Sequence, residues 1–136
     1  MSAYETGDYE QAYQEWLPLA EQGDPAAQFN LGLLFRYGKG RPVDAKVAAE
    51  WCLKAADVGF LPAQYEMAKM YEAGEGVRRN VVEAYKWYKL AAEQRYKDAK
   101  KLKKKLAKTM TSTELAHGEM WLREWKKARQ AESEKE

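Results

Sequence analysis

The segment from Gly23 to Gly40, GDPAAQFNLGLLFRYGKG, returns 36 residues later, from Gly59 to Gly76, as GFLPAQYEMAKMYEAGEG. The shift superimposes Gly23 on Gly59, Ala27 on Ala63 and Ala99, Gln28 on Gln64, Gly38 on Gly74 and Gly40 on Gly76. It carries on through Asp44 and Asn80, Trp51 and Trp87, Ala55 and Ala91, and it brings Ala12, Ala48 and Ala84 together. Where identity lapses, apolar character stays: Leu31 meets Met67 and Phe35 meets Tyr71. A fixed period of this length marks stacked supersecondary units, none of which can bury its apolar face alone.

Each unit reads as two helices. Gly23 can close a helix in the left-handed conformation, Asp24 can cap the next, and Pro25 suits a first turn that needs no amide donor. That helix is expected to run to about Tyr37. The loop from Gly38 to Val43 ends it, and Asp44 caps a second helix reaching about Val58. Gly74 to Arg79 and Asn80 repeat the scheme. Apolar side chains recur at helical spacing, as at Ala27, Leu31, Leu34 and Phe35 or Ala84, Trp87, Tyr88 and Ala91, and no segment alternates as a strand does.

Working outward, Asp8 to Gln22 matches a second helix, which Pro18 is expected to kink. Tyr96 to Met110 takes the next first-helix place, with one apolar stripe (Ala99, Leu102, Leu106) and lysine elsewhere, as a solenoid end requires for solubility. Thr111 to Glu114 spells a capping box that opens a last helix with Leu115, Trp121, Leu122 and Trp125 on its apolar side, ahead of a frayed tail at Glu132 to Glu136. The expected organisation is one all-α domain over 1–136. It comprises a partial repeat at 1–22, repeats at 23–58 and 59–94, a capping helix at 95–110, and a C-terminal helix and tail at 111–136.

These residues resemble the Sel1-like repeats, relatives of the tetratricopeptide repeats. The family pattern is an alanine, Leu-Gly, an aromatic, Gly-x-Gly, a polar cap, alanine, tryptophan, Lys-Ala-Ala and glycine. The first unit supplies Ala27, Leu31-Gly32, Phe35, Gly38-Lys39-Gly40, Asp44, Ala48, Trp51, Lys54-Ala55-Ala56 and Gly59. The second supplies Ala63, Met67-Ala68, Tyr71, Gly74-Glu75-Gly76, Asn80, Ala84, Trp87 and Leu90-Ala91-Ala92, departing at Ala68, Leu90 and Arg95. The resemblance implies a right-handed superhelix of antiparallel helix pairs, in which small residues admit close helix approach while Trp51 and Trp87 fill the space between layers.

Composition narrows the function. The net charge of +2 does not mark a nucleic-acid binder, yet residues 1–50 sum to −4 while residues 78–108 sum to +9. A single cysteine, Cys52, excludes an internal disulfide and any multi-cysteine metal site. His117, the one histidine, has no second imidazole to share a metal, and Cys52 sits where the next unit has Tyr88, a core place. The Gly-x-Gly loops follow helices and lack a downstream Gly-Lys-Ser or Gly-Lys-Thr, so they serve backbone geometry rather than phosphate. No run of about 18 apolar residues offers a transmembrane span. No catalytic constellation, metal site or cofactor is expected.

The expected role is therefore protein–protein interaction, as an adaptor or regulator that holds a peptide or protein in a concave groove. With the phase taken from the tetratricopeptide resemblance, Phe29, Leu33, Arg36 and Tyr37 of the first unit and Tyr65, Lys69 and Glu72 of the second would face that groove. An alternative is an anionic-surface binder acting through Lys97, Lys101, Lys104, Lys105 and Lys108, with nucleic acid disfavoured because no base-stacking module accompanies them. A weak or unrecognised enzyme is a further alternative. Ala3 to Tyr9 reads as the close of a preceding helix and its turn into a second, and many bacterial members with this opening are exported. That favours a periplasmic or secreted chain that has lost a signal peptide over a cytoplasmic one.

Overall fold

The computed structural model describes residues 8–135. Among these, seven helices and no strand occur: α1 (Tyr9–Glu21), α2 (Pro25–Tyr37), α3 (Ala45–Asp57), α4 (Leu61–Ala73), α5 (Val81–Glu93), α6 (Ala99–Ala107) and α7 (Ser112–Glu134). The expected closing turn at Ala3 to Gly7 lies outside the described residues. Consecutive helices from α1 to α6 pack on one another, which is the stacking that the repeat implies.

Side chains start most of these helices. Asp8 accepts from the Gln11 amide at 3.0 Å, Asp44 from Val47 at 3.2 Å, and Asn80 from Val82 and Glu83 at 3.1 Å each. Thr111 and Glu114 form the reciprocal capping box. Asp24 departs from expectation, because its side chain caps nothing. Its place in the next unit is held by Phe60, which has no side-chain acceptor, and both helices begin instead on an early proline.

The 36-residue register holds down to single bonds. Gln28 reaches back to the Ala20 carbonyl at 3.1 Å, as Gln64 does to Ala56 at 3.2 Å. The Asp44 amide donates to Phe35 at 2.9 Å, and that of Asn80 to Tyr71 at 3.0 Å. The second glycine of each Gly-x-Gly loop has a double reason to be glycine. Gly40 and Gly76 adopt φ of 73° and 74°, and a Cβ there would lie 2.5 Å from Tyr9 Cβ and 2.1 Å from the Ala45 carbonyl oxygen. Each loop thus lies directly on the start of the preceding second helix.

The core runs along the stack through fully buried Leu31, Leu34, Cys52, Met67, Met70, Trp87 and Tyr88. Gly32 allows α2 and α3 to pack closely, since a Cβ there would lie 2.5 Å from Cys52 Sγ. Trp87 is fully buried, whereas its counterpart Trp51 is only half-buried. The difference is α7: Trp125 meets the Trp87 ring edge-on at 5.8 Å, and among the described residues no ring pairs with Trp51 in this way.

The C-terminal third departs from the expected boundaries. The helix expected over Tyr96 to Met110 spans only Ala99–Ala107, because Arg95 and Lys97 take left-handed φ values of 56° and 44°. Arg95 stands where the other units have Gly23 and Gly59, and Lys97 where α2 and α4 begin, so the turn is made without glycine and the helix starts two residues late. α1 runs through Pro18 as one helix, and α7 continues through Glu132 to Glu134, which sequence had placed in a frayed tail. α7 packs chiefly on α5 rather than forming a hairpin with α6.

Candidate functional site

The first-helix row expected to line a groove divides into spoken-for and available side chains. Arg36 on α2 pairs with Glu66 on α4 and with Glu75 at 2.8 Å, tying the two first helices together. Glu72 accepts from the Tyr88 hydroxyl at 2.7 Å, and this bond, with burial as the larger cause, pushes the phenol far above its ordinary range. Tyr65 keeps only 6% of its surface exposed, with its ring edge-on to Tyr88 at 6.3 Å and Tyr96 at 5.3 Å. Phe29 makes the equivalent contact with Phe60 at 5.6 Å and stays half-buried. Lys69 lies over the Tyr65 ring at 5.0 Å. Leu33 is half-buried, and Tyr37, 53% exposed, is the most open of the seven. Tyr65 is therefore chiefly a wall of the row, whereas Leu33 is partly exposed and Tyr37, with the Arg36 guanidinium 5.4 Å from its ring centre, is largely so.

Of the lysine-rich patch, Lys97, Lys101, Lys104, Lys105 and Lys108 are all exposed. Lys97 places its ammonium 5.8 Å from the Tyr65 ring centre and 5.3 Å from that of Tyr96. Lys97 thus adjoins the first-helix row rather than standing apart from it.

Sequence reasoning missed a concavity where α7 crosses α5. A cleft of about 210 Å³ opens there between Asp57, Tyr71, Glu83, Lys86, Trp87 and Trp121. Lys86 is 2% exposed; it pairs with Glu83 at 3.0 Å and lies 4.4 and 4.1 Å from the Trp87 and Trp121 ring centres. Burial pushes the Asp57 carboxyl and the Tyr71 phenol upward, with Lys86 drawing Asp57 back down. The Trp87 indole N–H finds no partner among the described residues. Nothing in the repeat signals this cleft, because the places equivalent to Lys86 hold exposed Gln14 and Glu50. Beyond its rim, Met120 and Trp121 are about half exposed, at 49% and 48%. Trp121 was expected on the apolar side of α7 with Leu115, Leu122 and Trp125, but only part of it is covered.

Cys52 is fully buried and its thiol is pushed up to about 12 by that burial, against a smaller opposing pull from Arg36. It is a packed hydrophobe, not a nucleophile at neutral pH. Among the described residues no three His, Cys, Asp or Glu side chains gather to hold a metal, and no helix is long and apolar enough to cross a membrane.

Residues 25–60 and 61–96 each match the family model described as Sel1 repeat. The chain is 34% identical over 98 residues to the chitin synthase regulator SKT5 of Saccharomyces cerevisiae, covering 65% of this chain and 14% of that protein. It is 28% identical over 116 residues to the alginate biosynthesis protein AlgK of Azotobacter vinelandii, covering 85% and 25%. Among solved structures, a protective antigen present in uropathogenic Escherichia coli strains, displaying an SLR fold, superimposes with a TM-score of 0.82 at 30% identity over 87% of this chain and 26% of that one. A Sel1 repeat protein from Oxalobacter formigenes does so with a TM-score of 0.70 at 40% identity over 74% and 42%. The chain thus spans less than half the length of each of these proteins.

Proposed function

The chain belongs to the Sel1 repeat family, and on that premise we propose that it is an adaptor or regulator that holds a peptide or protein partner in the hollow lined by its first helices. Sel1 repeats are generally protein–protein interaction modules, and the fold is generally a non-catalytic scaffold. The observation that carries the reading is the open surface of Tyr37 beside Leu33 and Phe29, on the helix that Arg36 ties to α4. Aromatic side chains of this kind concentrate binding energy, because they bury much area at little entropic cost. The regulatory role of the yeast relative and the biosynthetic role of AlgK are those proteins' own. The first is in keeping with a regulatory binding task for this chain.

Affinity capture with the native chain and with a folded Leu33→Ala/Tyr37→Ala variant tests the proposal. A protein retained by the first and lost by the second, and weakened by about 2 kcal/mol or more when purified, supports it. Equal retention by both chains removes it.

A further inference from the structure

The register extends into α6 and sorts its lysines onto two faces. Counted back by 36, Lys103 and Lys104 take the places of buried Met67 and Ala68, and of buried Leu31 and Gly32. They occupy the side that would receive a following second helix, and their charge and bulk close the stack there. Lys101, Lys105 and Lys108 take the places of Tyr65, Lys69 and Glu72, and of Phe29, Leu33 and Arg36. That is the row assigned above to the hollow.

Charge changes along this row. Over α2 the one cation, Arg36, is answered by Glu66 and Glu75. Residues 95–108 hold eight basic side chains against one acidic, Asp98, and among the described residues none of the eight forms an ion pair. Where Gln28 and Gln64 plug the end of the preceding helix, the third unit has Lys100, and a notch of about 200 Å³ opens between Arg95, Tyr96, Lys97 and Lys100. Glu72, the acid within the row, is already engaged by Tyr88.

We propose that the hollow is graded, and that its ligand is a peptide segment with an aromatic or aliphatic part over α2 and a run of Asp and Glu over α6. The inference rests on the groove reading and specifies its ligand. A polyphosphate chain would use the lysines but leave Leu33 and Tyr37 idle. A nucleic acid would also want open rings beside the lysines, where Tyr65 is buried.

The test selects a random dodecapeptide library, displayed on phage, on the full chain. Selected peptides are then synthesised and titrated against variants whose fold is verified by circular dichroism. Expected are peptides with an acidic run beside an apolar residue, bound about tenfold or more weakly by Lys101→Glu/Lys105→Glu and weakened by salt. Lys103→Glu/Lys104→Glu should change affinity less than about threefold, because those lysines face away from the row. Neutral or basic peptides, bound equally by the native and the Lys101→Glu/Lys105→Glu chains, overturn the graded charge alone. Peptides indifferent to Tyr37→Ala as well, or a library that yields none, overturn the groove reading with it. Tighter binding to single-stranded DNA or to phosphatidylglycerol vesicles than to any acidic peptide overturns the inference in favour of a general polyanion surface.

Discussion

Residues 25–94 form four helices of 13 residues each, whereas residues 95–135 form one of 9 and one of 23, and the two regions are held by different means. Side chains of the first region make one set of contacts twice, 36 residues apart: the glutamine plugs, the ring pairs Phe29–Phe60 and Tyr65–Tyr96, and the glycine loops lying on the preceding helix. In the second, α6 keeps only the buried stripe, with Ala99 and Leu106 inside, and α7 abandons the register to lie across α5. A repeat propagates only while the face that receives the next helix stays small and apolar. Gly32 and Ala68 keep that face open, and Lys103 and Lys104 shut it. The comparison therefore locates the end of the repeat in side-chain chemistry, while α7 turns aside to pack on α5.

The largest test of this comparison uses the paired tryptophans. Trp87→Ala is expected to cost about 3–5 kcal/mol, because the ring is fully buried beneath Trp125. Trp51→Ala, at the same register position without that cover, should cost roughly half as much. Urea denaturation of both variants measures the difference. Equal losses would mean that α7 contributes nothing to burial at Trp87, and a Trp87 loss below about 1 kcal/mol would mean that the layer packing is misread.

A smaller effect separates Gly32 from Lys104. A methyl group at Gly32 meets Cys52 Sγ at 2.5 Å and the Ala48 carbonyl oxygen at 3.2 Å, so Gly32→Ala should destabilise by about 1–3 kcal/mol despite the better helix propensity of alanine. Lys104→Ala, at the same register position on an exposed face, should stay within about 0.5 kcal/mol. A large loss at Lys104 would show that α6 receives a helix there after all.

The two regions also differ in what sequence alone reveals. The pairs of helices, their caps at Asp44, Asn80 and Thr111, and the buried place of Cys52 are legible because each follows from local spacing or from the repeat. Three features are not. The left-handed Arg95 and Lys97 go against residue preference, so the late start of α6 carries no glycine or proline to announce it. Tyr65 looks like an exposed anchor by phase, and only the approach of Tyr96 from the next unit hides it. The cleft around Lys86 depends on where α7 lies, and α7 follows no repeat. The groove row itself was legible as a row, but which of its members were already bonded was not, since Arg36 and Glu72 find partners 30 and 16 residues away.

The smallest expected effect concerns how α7 is fastened. Leu122 is buried and Gly118 lies against Tyr85, where a Cβ would come within 2.7 Å of the ring. Trp125 meets Trp87 edge-on, and polar fastenings are added to these: Glu119 accepts from Tyr85 at 2.8 Å and pairs with Lys89, Lys126 pairs with Glu93 at 2.8 Å, and Arg129 donates to the Asp57 and Val58 carbonyls. The Lys89 bond, the largest cause, holds the Glu119 carboxyl below its ordinary value of 4.5, assisted by Tyr85 and opposed by burial. A carboxyl lowered in the folded state binds fewer protons there than in the unfolded chain. Its contribution is therefore complete above about pH 4.5 and is lost as pH falls below that. The Glu119 side chain is 38% exposed, so solvent screening keeps the contribution under about 1 kcal/mol. Stability measured from pH 6 down to pH 3.5 should fall further in the native chain than in Glu119→Gln, with the difference confined to the range below pH 4.5. Hydrogen exchange should place that loosening in α7 while α2 to α5 stay protected. Identical acid profiles for the two chains, or loosening spread evenly over the repeats, would remove the distinction between a repeat held by its register and a terminal helix that adds polar fastenings to its apolar contacts.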